Sequence, residues 1–347
     1  MMKGIRINQP GEAEIFEIAM PVRRAGEALL RVLYGGICGS DLGTYRGTFA
    51  YASYPRIPGH EFSAQIVEID PADAAKHNLH TGQIITCNPY FNCGSCYSCT
   101  RGFVNCCEHN ETMGAQRDGA FTEYITMPVE RIYDGKGLSP LQLTLIEPFC
   151  ISYHGVSHAN VQPGEKVLVI GAGTIGVLAA AAAKAAGGEV YIADIAPQKL
   201  DHAVEIMGLA GRIFNDAPAH FTEQVEKITN GNGFDVTIEA VGLPATFLSC
   251  VDAAAFGGRV VQVGVGKRNA DFNFTLLQKK ELKLYGSRNA LKKDFLALID
   301  LVKSGKIDIT KIVTNTYELA DGPQAFKDFL EHADTMLKVV IHFADPE

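Results

Sequence analysis

The stretch KVLVIGAGTIGVLAAAAAKAAGGEVYIAD, residues 166–194, limits the possible folds more than any other part of the chain. It begins with an apolar run, turns at Gly171, Gly173 and Gly176, and continues through alanines to a second apolar run that ends at Asp194. An apolar strand, a G-x-G-x-x-G turn and a helix in this order are typical of a dinucleotide-binding unit. The stretch therefore predicts a strand–turn–helix–strand unit of a parallel sheet.

The three glycines have separate physical roles in such a turn. Gly171 permits the tight bend, Gly173 lets the backbone approach a pyrophosphate, and Gly176 lets the helix pack closely on the strand. Thr174 and Ile175 begin the helix, whose free N–H groups and positive dipole end favour phosphate oxygens. The turn is therefore predicted to bind the phosphates of a dinucleotide.

Asp194 indicates which dinucleotide binds. A carboxylate about twenty residues after the first glycine accepts hydrogen bonds from a ribose 2′-OH and repels a 2′-phosphate, which predicts NAD rather than NADP. Lys199, one turn further, either contacts the adenosine ribose or is a solvated helix lysine. Val263, in GGRVVQVGV, and Arg288, near the end of this region, are further candidate cofactor-binding residues.

Strands and helices alternate through residues 150–286, where GFDVTIEAVG, GGRVVQVGV and ELKLYGS each predict a further short strand. This α/β pattern predicts a Rossmann domain, a doubly wound parallel sheet with helices on both faces. Residues 1–149 contain short apolar runs broken by glycine and proline, which predict a compact β-rich domain.

Five cysteines lie close together in FNCGSCYSCTRGFVNCCEHN. Two residues separate Cys93 from Cys96 and Cys96 from Cys99, and Cys107 follows after seven more. Four thiolates at this spacing, with no catalytic His among them, are typical of a closed structural zinc site. Cys106 is left out because its neighbour fits the spacing better. The alternatives are an iron–sulfur cluster, a thioredoxin-like redox pair and four incidental buried thiols.

Length and charge restrict the class of partner. A chain of 347 residues predicts about two domains. Its 31 basic and 39 acidic residues give a formal net charge of −8, so nucleic acid and anionic membrane are not expected partners. The N-terminal MMKGIRINQP lacks the apolar segment of a signal peptide, which predicts a cytoplasmic protein whose thiols stay reduced.

A second group of metal-ligand residue types is spread over distant segments. Cys38 lies in GGICGSD, His60 and Glu61 follow a Pro-Gly turn, and Glu147 lies in IEPFC. A thiolate, an imidazole and a carboxylate brought together by folding form an open three-ligand zinc site, with a fourth position for water or substrate. The sequence therefore offers ligands for a second, open zinc site besides the structural one.

Six motifs in order carry a resemblance to a known family: G-x-C-G-S-D, P-G-H-E, C-x-x-C-x-x-C-x7-C, D-G-x-F-x-E-Y, E-P and G-x-G-x-x-G. In these motifs, over nearly its whole length, the chain resembles the medium-chain zinc-dependent alcohol and polyol dehydrogenases, in the branch of sorbitol, threonine, idonate and galactonate dehydrogenases. The resemblance implies a GroES-like catalytic domain over residues 1–149, to which residues 287–347 return, and a Rossmann domain over residues 150–286. It also implies NAD and two zinc ions per chain, the structural zinc being held by the four cysteines.

The resemblance also implies roles for the second metal group. Cys38, His60 and Glu147 would hold the catalytic zinc, with Glu61 beside it. Simple alcohol dehydrogenases usually carry a cysteine at the position of Glu147, so this residue favours the polyol branch. The sequence leaves open whether Glu61 ligates the metal directly, acts through a water or exchanges with the substrate.

The implied reaction needs a path for one proton. Zinc acts as a Lewis acid on the substrate hydroxyl, Ser40 takes the proton of that hydroxyl, and hydride passes to the nicotinamide. Many relatives carry a proton-relaying histidine at the position of Gly43. Water, the cofactor ribose and Glu61 are the alternative routes.

The substrate is predicted from residues expected near the reacting atoms. The residues expected to line the substrate cleft after Cys38 are Tyr45, Arg46, Phe49 and Tyr51. The Ser-Arg-Asn run that contains Arg288 resembles dehydrogenases of sugar acids and polyols, and an arginine matches a carboxylate. We therefore expect oxidation of a secondary alcohol in a polyol or in a sugar acid such as galactonate, idonate or gulonate. The alternatives are a threonine-type or simple secondary-alcohol dehydrogenase, and a non-catalytic redox sensor that binds zinc and NAD.

The resemblance also implies self-association. Relatives pair through the edge of the Rossmann sheet, and bacterial ones are often tetramers. A homodimer or homotetramer is therefore expected, with the strand in GGRVVQVGV as the candidate sheet edge.

Overall fold

The computed structural model describes all residues, 1–347, in two compact units. The first unit contains residues 1–147 and 291–347, and the second contains residues 148–290. No helix in either unit is both long enough and apolar enough to cross a membrane.

Seventeen strands and twelve α-helices make up the two units. The strands are β1 (Met2–Gln9), β2 (Glu12–Ile18), β3 (Glu27–Gly36), β4 (Glu61–Glu68), β5 (Ile84–Cys87), β6 (Tyr90–Phe91), β7 (Glu111–Thr112), β8 (Tyr124–Pro128), β9 (Ile132–Asp134), β10 (Lys166–Ile170), β11 (Glu189–Asp194), β12 (Gly211–Phe214), β13 (Phe234–Glu239), β14 (Ala254–Gln262), β15 (Lys283–Gly286), β16 (Val313–Glu318) and β17 (Lys338–His342). The helices are α1 (Gly39–Arg46), α2 (Pro71–His77), α3 (Tyr97–Thr100), α4 (Pro140–Thr144), α5 (Ile146–Ala159), α6 (Thr174–Ala185), α7 (Pro197–Met207), α8 (Pro218–Thr229), α9 (Pro244–Ala253), α10 (Thr275–Lys279), α11 (Lys292–Lys303) and α12 (Gly322–Glu331).

The second unit is built on six parallel strands in the order β12-β11-β10-β13-β14-β15. Residues 167–170 of β10 are at most 1% exposed, as expected for a strand covered on both faces. This sheet confirms the predicted Rossmann fold. The prediction that GGRVVQVGV supplies the sheet edge was wrong, because its strand, β14, lies between β13 and β15.

Helix α6 packs closely on the sheet because its side chains are small. Residues 179–183 are all alanine and all buried, and alanine has the highest intrinsic helix propensity. A Cβ atom at Gly176, in the first turn, would overlap the carbonyl oxygen of Gly171. The close contact between the turn and the helix therefore depends on glycine at this position.

The first unit is built on a seven-stranded sheet in the order β16-β17-β3-β4-β5-β9, with β8 also paired to β3. The chain's last strand, β17, pairs with β3 and opposes Val340 to Gly36 and Ile341 to Gly35. Residues 291–347 therefore complete the N-terminal unit, and its β-rich architecture confirms the predicted GroES-like fold. Two further pairs, β1 with β2 and β6 with β7, form small separate sheets.

Two clusters of buried apolar side chains hold β3 and β4 in place. One contains Leu30, Val32 and Phe62, and the other contains Phe121 and Phe326. All five side chains are at most 1% exposed. Since close-packed interiors move little, the backbone at the end of β3 and the start of β4 is a rigid support for polar side chains.

Candidate metal and cofactor sites

Cys38, His60 and Glu61 lie together in the first unit. One ligand atom from each lies within 4.8 Å of the other two. The register of the sheet explains this, because Gly36 at the end of β3 opposes Glu61 at the start of β4. Cys38, which follows β3 as the N-terminal cap of α1, is thereby placed beside the residues that begin β4.

Glycine is required on both sides of this cluster. Gly59 has a φ of +99°, a left-handed conformation that favours glycine, and a Cβ there would overlap the ring of Phe121. A Cβ at Gly36 would overlap a carboxylate oxygen of Glu61. The Pro-Gly turn and the glycine at the end of β3 therefore give His60 and Glu61 the space they occupy.

His60 is a buried imidazole with an unused ring nitrogen. It is 7% exposed, and its Nδ1 has no hydrogen-bond partner, although Asp41 Oδ1 lies 3.9 Å away. Burial by itself lowers the pKa of His60, but neighbouring Cys38 and Asp41 raise that pKa well above its ordinary value. A thiol, an imidazole and a carboxylate around one point suit Zn²⁺, so the residues fit the predicted catalytic metal.

Asp41 supports the two ligand segments. It is 1% exposed, and its carboxylate accepts hydrogen bonds from the N–H of Cys38 at 3.0 Å and from the N–H of Gly59 at 3.2 Å. These two bonds tie the start of α1 to the Pro-Gly turn that precedes His60. The motif G-x-C-G-S-D contains Asp41, but the sequence alone did not indicate this role.

Glu61 also belongs to a buried ion pair. Lys338 in β17 donates from its Nζ to Glu61 Oε2 and, at 3.1 Å, to the carbonyl oxygen of Ile37. Both charged side chains are 1% exposed. Sequence reasoning missed Lys338. A lysine that begins the apolar strand KVVIH could have indicated a buried charge, because the residues that follow it are buried.

Glu147 lies beside the cluster but outside its three-ligand set. It is 2% exposed in the first turn of α5, and its Oε1 accepts a hydrogen bond from the hydroxyl of Tyr90, another residue that sequence reasoning missed. Burial raises the pKa of Glu147 to about 7, although the charge of His60 acts to lower it. The structure thus groups Glu61 directly with Cys38 and His60, while ligation by Glu147 stays a prediction.

The cysteine-rich lobe forms the second metal-ligand group. The Sγ atoms of Cys93, Cys96, Cys99 and Cys107 all lie within 4.8 Å of one another. Backbone N–H groups donate hydrogen bonds to these sulfurs. The N–H of Cys96 lies 3.3 Å from Cys93 Sγ, and the N–H of Cys93 lies 3.3 Å from Cys107 Sγ. Hydrogen bonds led by the N–H of Cys99 lower the pKa of Cys96 to about 5. Four sulfurs around one point fit a structural zinc, and Cys106 is exposed and outside the set.

The residues expected near the substrate differ in exposure, from Tyr45 in the core to Tyr51, which is 61% exposed. Tyr45 is 8% exposed and packs against Phe326 with a ring-centroid distance of 5.7 Å. It belongs to the core, since the last turn of α1 lies on α12, so the prediction that it lines the cleft was wrong. Arg46, the next residue, is exposed. Ser40 lies partly buried in the first turn of α1, two residues after Cys38.

The glycine turn of the second unit has the geometry that a pyrophosphate needs. Gly171 has a φ of +113°, and a Cβ there would lie 2.8 Å from Val241 Cγ2. Gly173 caps α6, and a Cβ at this position would meet nothing within 4 Å, so the space beside its backbone is open. Thr174 and Ile175, both half-buried, form the N-terminal turn of the helix beside the exposed Gly173. The turn therefore combines close packing on one side with an accessible helix N-terminus.

Asp194 ends β11 next to this turn. Its Oδ2 accepts a hydrogen bond from the N–H of Ala172 at 2.6 Å, and its Oδ1 accepts one from Ala196 at 3.0 Å. The carboxylate thus braces the glycine turn while keeping further lone pairs for a ribose hydroxyl. Lys199 is half-buried in the first turn of α7. Val263 is buried just after β14 and Arg288 is exposed after β15.

Comparison with known proteins identifies the family. Residues 24–136 match the alcohol dehydrogenase GroES-like domain, and residues 174–304 match the zinc-binding dehydrogenase family. The chain is 35% identical over 335 residues to L-galactonate-5-dehydrogenase of Escherichia coli K12. This match covers 96% of this chain and 97% of that protein. The chain belongs to the zinc-dependent medium-chain dehydrogenases. This dehydrogenase is therefore an oxidoreductase of the alcohol and polyol dehydrogenase type, as predicted.

Solved structures agree on the fold and the cofactor class. A short chain alcohol dehydrogenase of Escherichia coli CFT073, complexed with NADH, has a TM-score of 0.90 at 29% identity and covers 99% of each chain. A zinc-binding dehydrogenase of Sinorhizobium meliloti 1021, bound to NADP, has a TM-score of 0.89 at 28% identity and also covers 99% of each chain. The cofactors of this dehydrogenase are therefore zinc and a nicotinamide dinucleotide, as predicted.

Proposed function

We propose that this dehydrogenase oxidises a secondary alcohol of a sugar acid or polyol to the ketone, with NAD as the hydride acceptor. The balanced reaction is alcohol plus NAD⁺ to ketone, NADH and one proton. The observation that carries the proposal is the ligand set of Cys38, His60 and Glu61, with Glu147 beside it. Two carboxylates at this site match the polyol branch, and the relative named L-galactonate-5-dehydrogenase supports a sugar acid.

The chain's own residues provide the metal site and the first proton acceptor. Zinc, when held by Cys38, His60 and a carboxylate, supplies Lewis-acid chemistry that makes a substrate hydroxyl more acidic. Ser40, two residues beyond the thiolate ligand, would accept the proton of that hydroxyl while releasing its own hydroxyl proton to water. Gly43 has no side chain to pass the proton on, and its carbonyl oxygen accepts N–H groups from Thr48 at 2.8 Å and Phe49 at 3.1 Å.

Two arginine side chains are the reason for proposing a substrate that carries a carboxylate. Arg46 is exposed at the end of α1, and Arg288 lies in the Ser-Arg-Asn run. An arginine binds a carboxylate through two parallel hydrogen bonds, which uncharged polyols do not permit. A sugar acid is therefore proposed ahead of a neutral polyol.

The test is NAD⁺ reduction by the zinc-loaded protein against galactonate, idonate, their matched neutral polyols, threonine and simple secondary alcohols. We expect turnover of a sugar acid and a much lower kcat/KM for its polyol partner. Turnover confined to neutral polyols would keep the zinc mechanism and remove the role of the arginines. Turnover of threonine alone, or of none of these compounds, would contradict the proposed substrate class.

Asp194→Ala tests the proposed coenzyme. Loss of the carboxylate removes hydrogen bonds to a ribose 2′-OH and the repulsion of a 2′-phosphate, so the NAD/NADP ratio of kcat/KM should fall by about tenfold or more. The control is Asp201→Ala in α7, an exposed acid paired with Arg212 at 2.7 Å, which should leave the ratio unchanged. An unaltered ratio in the Asp194 variant would remove its assigned role.

A homodimer or homotetramer is also proposed. The outer strand β15 has unpaired backbone groups along one edge, and its Leu284 is 43% exposed. Such an edge is a template for pairing with a second copy. Sedimentation equilibrium of the zinc-loaded protein would distinguish these states from a monomer.

A further inference from the structure

Glu239, the last residue of β13, is a fully buried carboxylate that neither the sequence motifs nor the metal sites include. Its Oε1 accepts hydrogen bonds from the N–H groups of Val241 at 3.0 Å and Gly242 at 2.9 Å, and from Thr246 Oγ1 at 2.6 Å. Its Oε2 accepts a hydrogen bond from Gln262 Nε2 at 2.5 Å and shares the N–H of Gly242 at 3.0 Å. A carboxylate without its proton can accept from all four donors, because it then carries only acceptor sites.

These donors come from the segments that follow two neighbouring strands. Val241 and Gly242 lie in the loop after β13 and Thr246 lies in the first turn of α9, whereas Gln262 ends β14 and leads into the second loop. The backbone of Glu239 binds the second loop as well, since its carbonyl oxygen accepts the N–H groups of Val263 at 2.9 Å and Gly264 at 3.0 Å. One residue thereby fixes residues 240–246 and 262–264 relative to each other.

The packing between the loops leaves no space for adjustment. A Cβ at Gly264 would overlap both the N–H of Gly242 and the carboxylate of Glu239. Gln262 Nε2 donates a second hydrogen bond, of 2.7 Å, to the carbonyl oxygen of Gly264. The loops therefore have a single arrangement while the carboxylate keeps its bonds.

The two loops lie at the carboxyl edge of the sheet, where a dinucleotide binds. Strands β10 and β13 are neighbours, and the chain runs outward from them in opposite directions, which makes the gap between them the topological switch point. The first loop contacts the glycine turn there, since a Cβ at Gly171 would lie 2.8 Å from Val241. The glycine turn and Asp194 serve the adenosine and pyrophosphate part, so the loops after β13 and β14 are left for the nicotinamide part.

We propose that Glu239 is a positioning residue that holds these two loops in the arrangement required by the nicotinamide half of the cofactor. The inference rests on the proposed function, because it assumes that a nicotinamide dinucleotide occupies the crevice. Glu239 touches no reacting atom, and it acts through Val241, Gly242 and Val263. Its effect should therefore distinguish the two halves of the cofactor.

The experiment compares binding of NADH and of ADP-ribose, which lacks the nicotinamide, to the zinc-loaded Glu239→Gln protein by calorimetry. A glutamine places an N–H₂ group against at least one loop donor, so that bond is lost. We expect the Kd of NADH to rise by about tenfold while the Kd of ADP-ribose changes by less than about twofold. The matched control is Glu189→Gln in β11, an acid bonded to Lys166 and Tyr191 instead, which should change neither Kd.

Two results would overturn the inference while the proposed function stands. One is an equal loss for NADH and ADP-ribose, which indicates general damage to the unit, and the other is no loss for either ligand. If Glu239→Gln does not fold, Thr246→Val decides, because it removes one donor and should weaken NADH selectively by about threefold. A wild-type protein that binds neither ligand would refute the proposed function and this inference together.

Discussion

Replacing Cys38 with serine should abolish turnover while NADH still binds. The variant loses the thiolate that makes the site selective for zinc, and with it Lewis-acid assistance of several kcal/mol. A loss of about 4 kcal/mol corresponds to a rate decrease of about a thousandfold. Zinc content should fall from about two ions per chain to about one, because the four-cysteine lobe keeps its metal.

Cys106→Ser is the matched control for this experiment. Cys106 is also a free cysteine but lies outside both metal-ligand groups, so its replacement should leave zinc content and turnover unchanged. The NADH affinity of the Cys38 variant shows whether the dinucleotide unit stays intact. Normal turnover with full zinc content in the Cys38 variant would refute the assignment of this site.

Lys338→Met should produce the largest loss of stability. Removal of one partner leaves the other charge buried and unpaired, and Glu61 is 1% exposed. Breaking such a pair costs about 3–5 kcal/mol of the free energy of unfolding. Urea denaturation after removal of the metal bound by Cys38 and His60, so that no zinc charge compensates Glu61, should show this loss as a lower midpoint.

A double-mutant cycle separates the ion pair from general packing effects. Glu61→Gln in the Lys338→Met background removes the remaining charge, so much of the lost stability should return. Lys327→Met is the control, because this lysine is exposed on α12 and its replacement should change stability by less than about 0.5 kcal/mol. Additive losses in the cycle would mean that the pair contributes little.

The motifs predicted most of the candidate site because metals and phosphates impose local spacing. Four cysteines in one short segment must face one another if they share an ion, and their sulfurs lie within 4.8 Å of one another. The glycine at position 176 of G-x-G-x-x-G is likewise required by a contact within a single turn, because a Cβ there would overlap the carbonyl oxygen of Gly171. Such constraints are visible in the sequence because the interacting residues are neighbours along the chain.

Tyr45 illustrates where this reasoning stops. Its position after a ligand segment suggested the substrate cleft, but the direction of its side chain depends on α12, which begins at Gly322. The helix face that carries Tyr45 packs on Phe326. No pattern near residue 45 contains that information, because the partner comes from the far end of the chain.

The sequence by itself determined the fold class, the family, the grouping of four cysteines and the dinucleotide turn, since each depends on short-range spacing or on motifs in a fixed order. Only the tertiary structure placed Glu61 within 4.8 Å of Cys38 and His60, because this proximity depends on the register between β3 and β4. It also decided the partners of the buried acids: Lys338 for Glu61, Tyr90 for Glu147 and two loops for Glu239. A buried carboxylate must find donors wherever the fold brings them, and these donors can come from segments far apart in the chain.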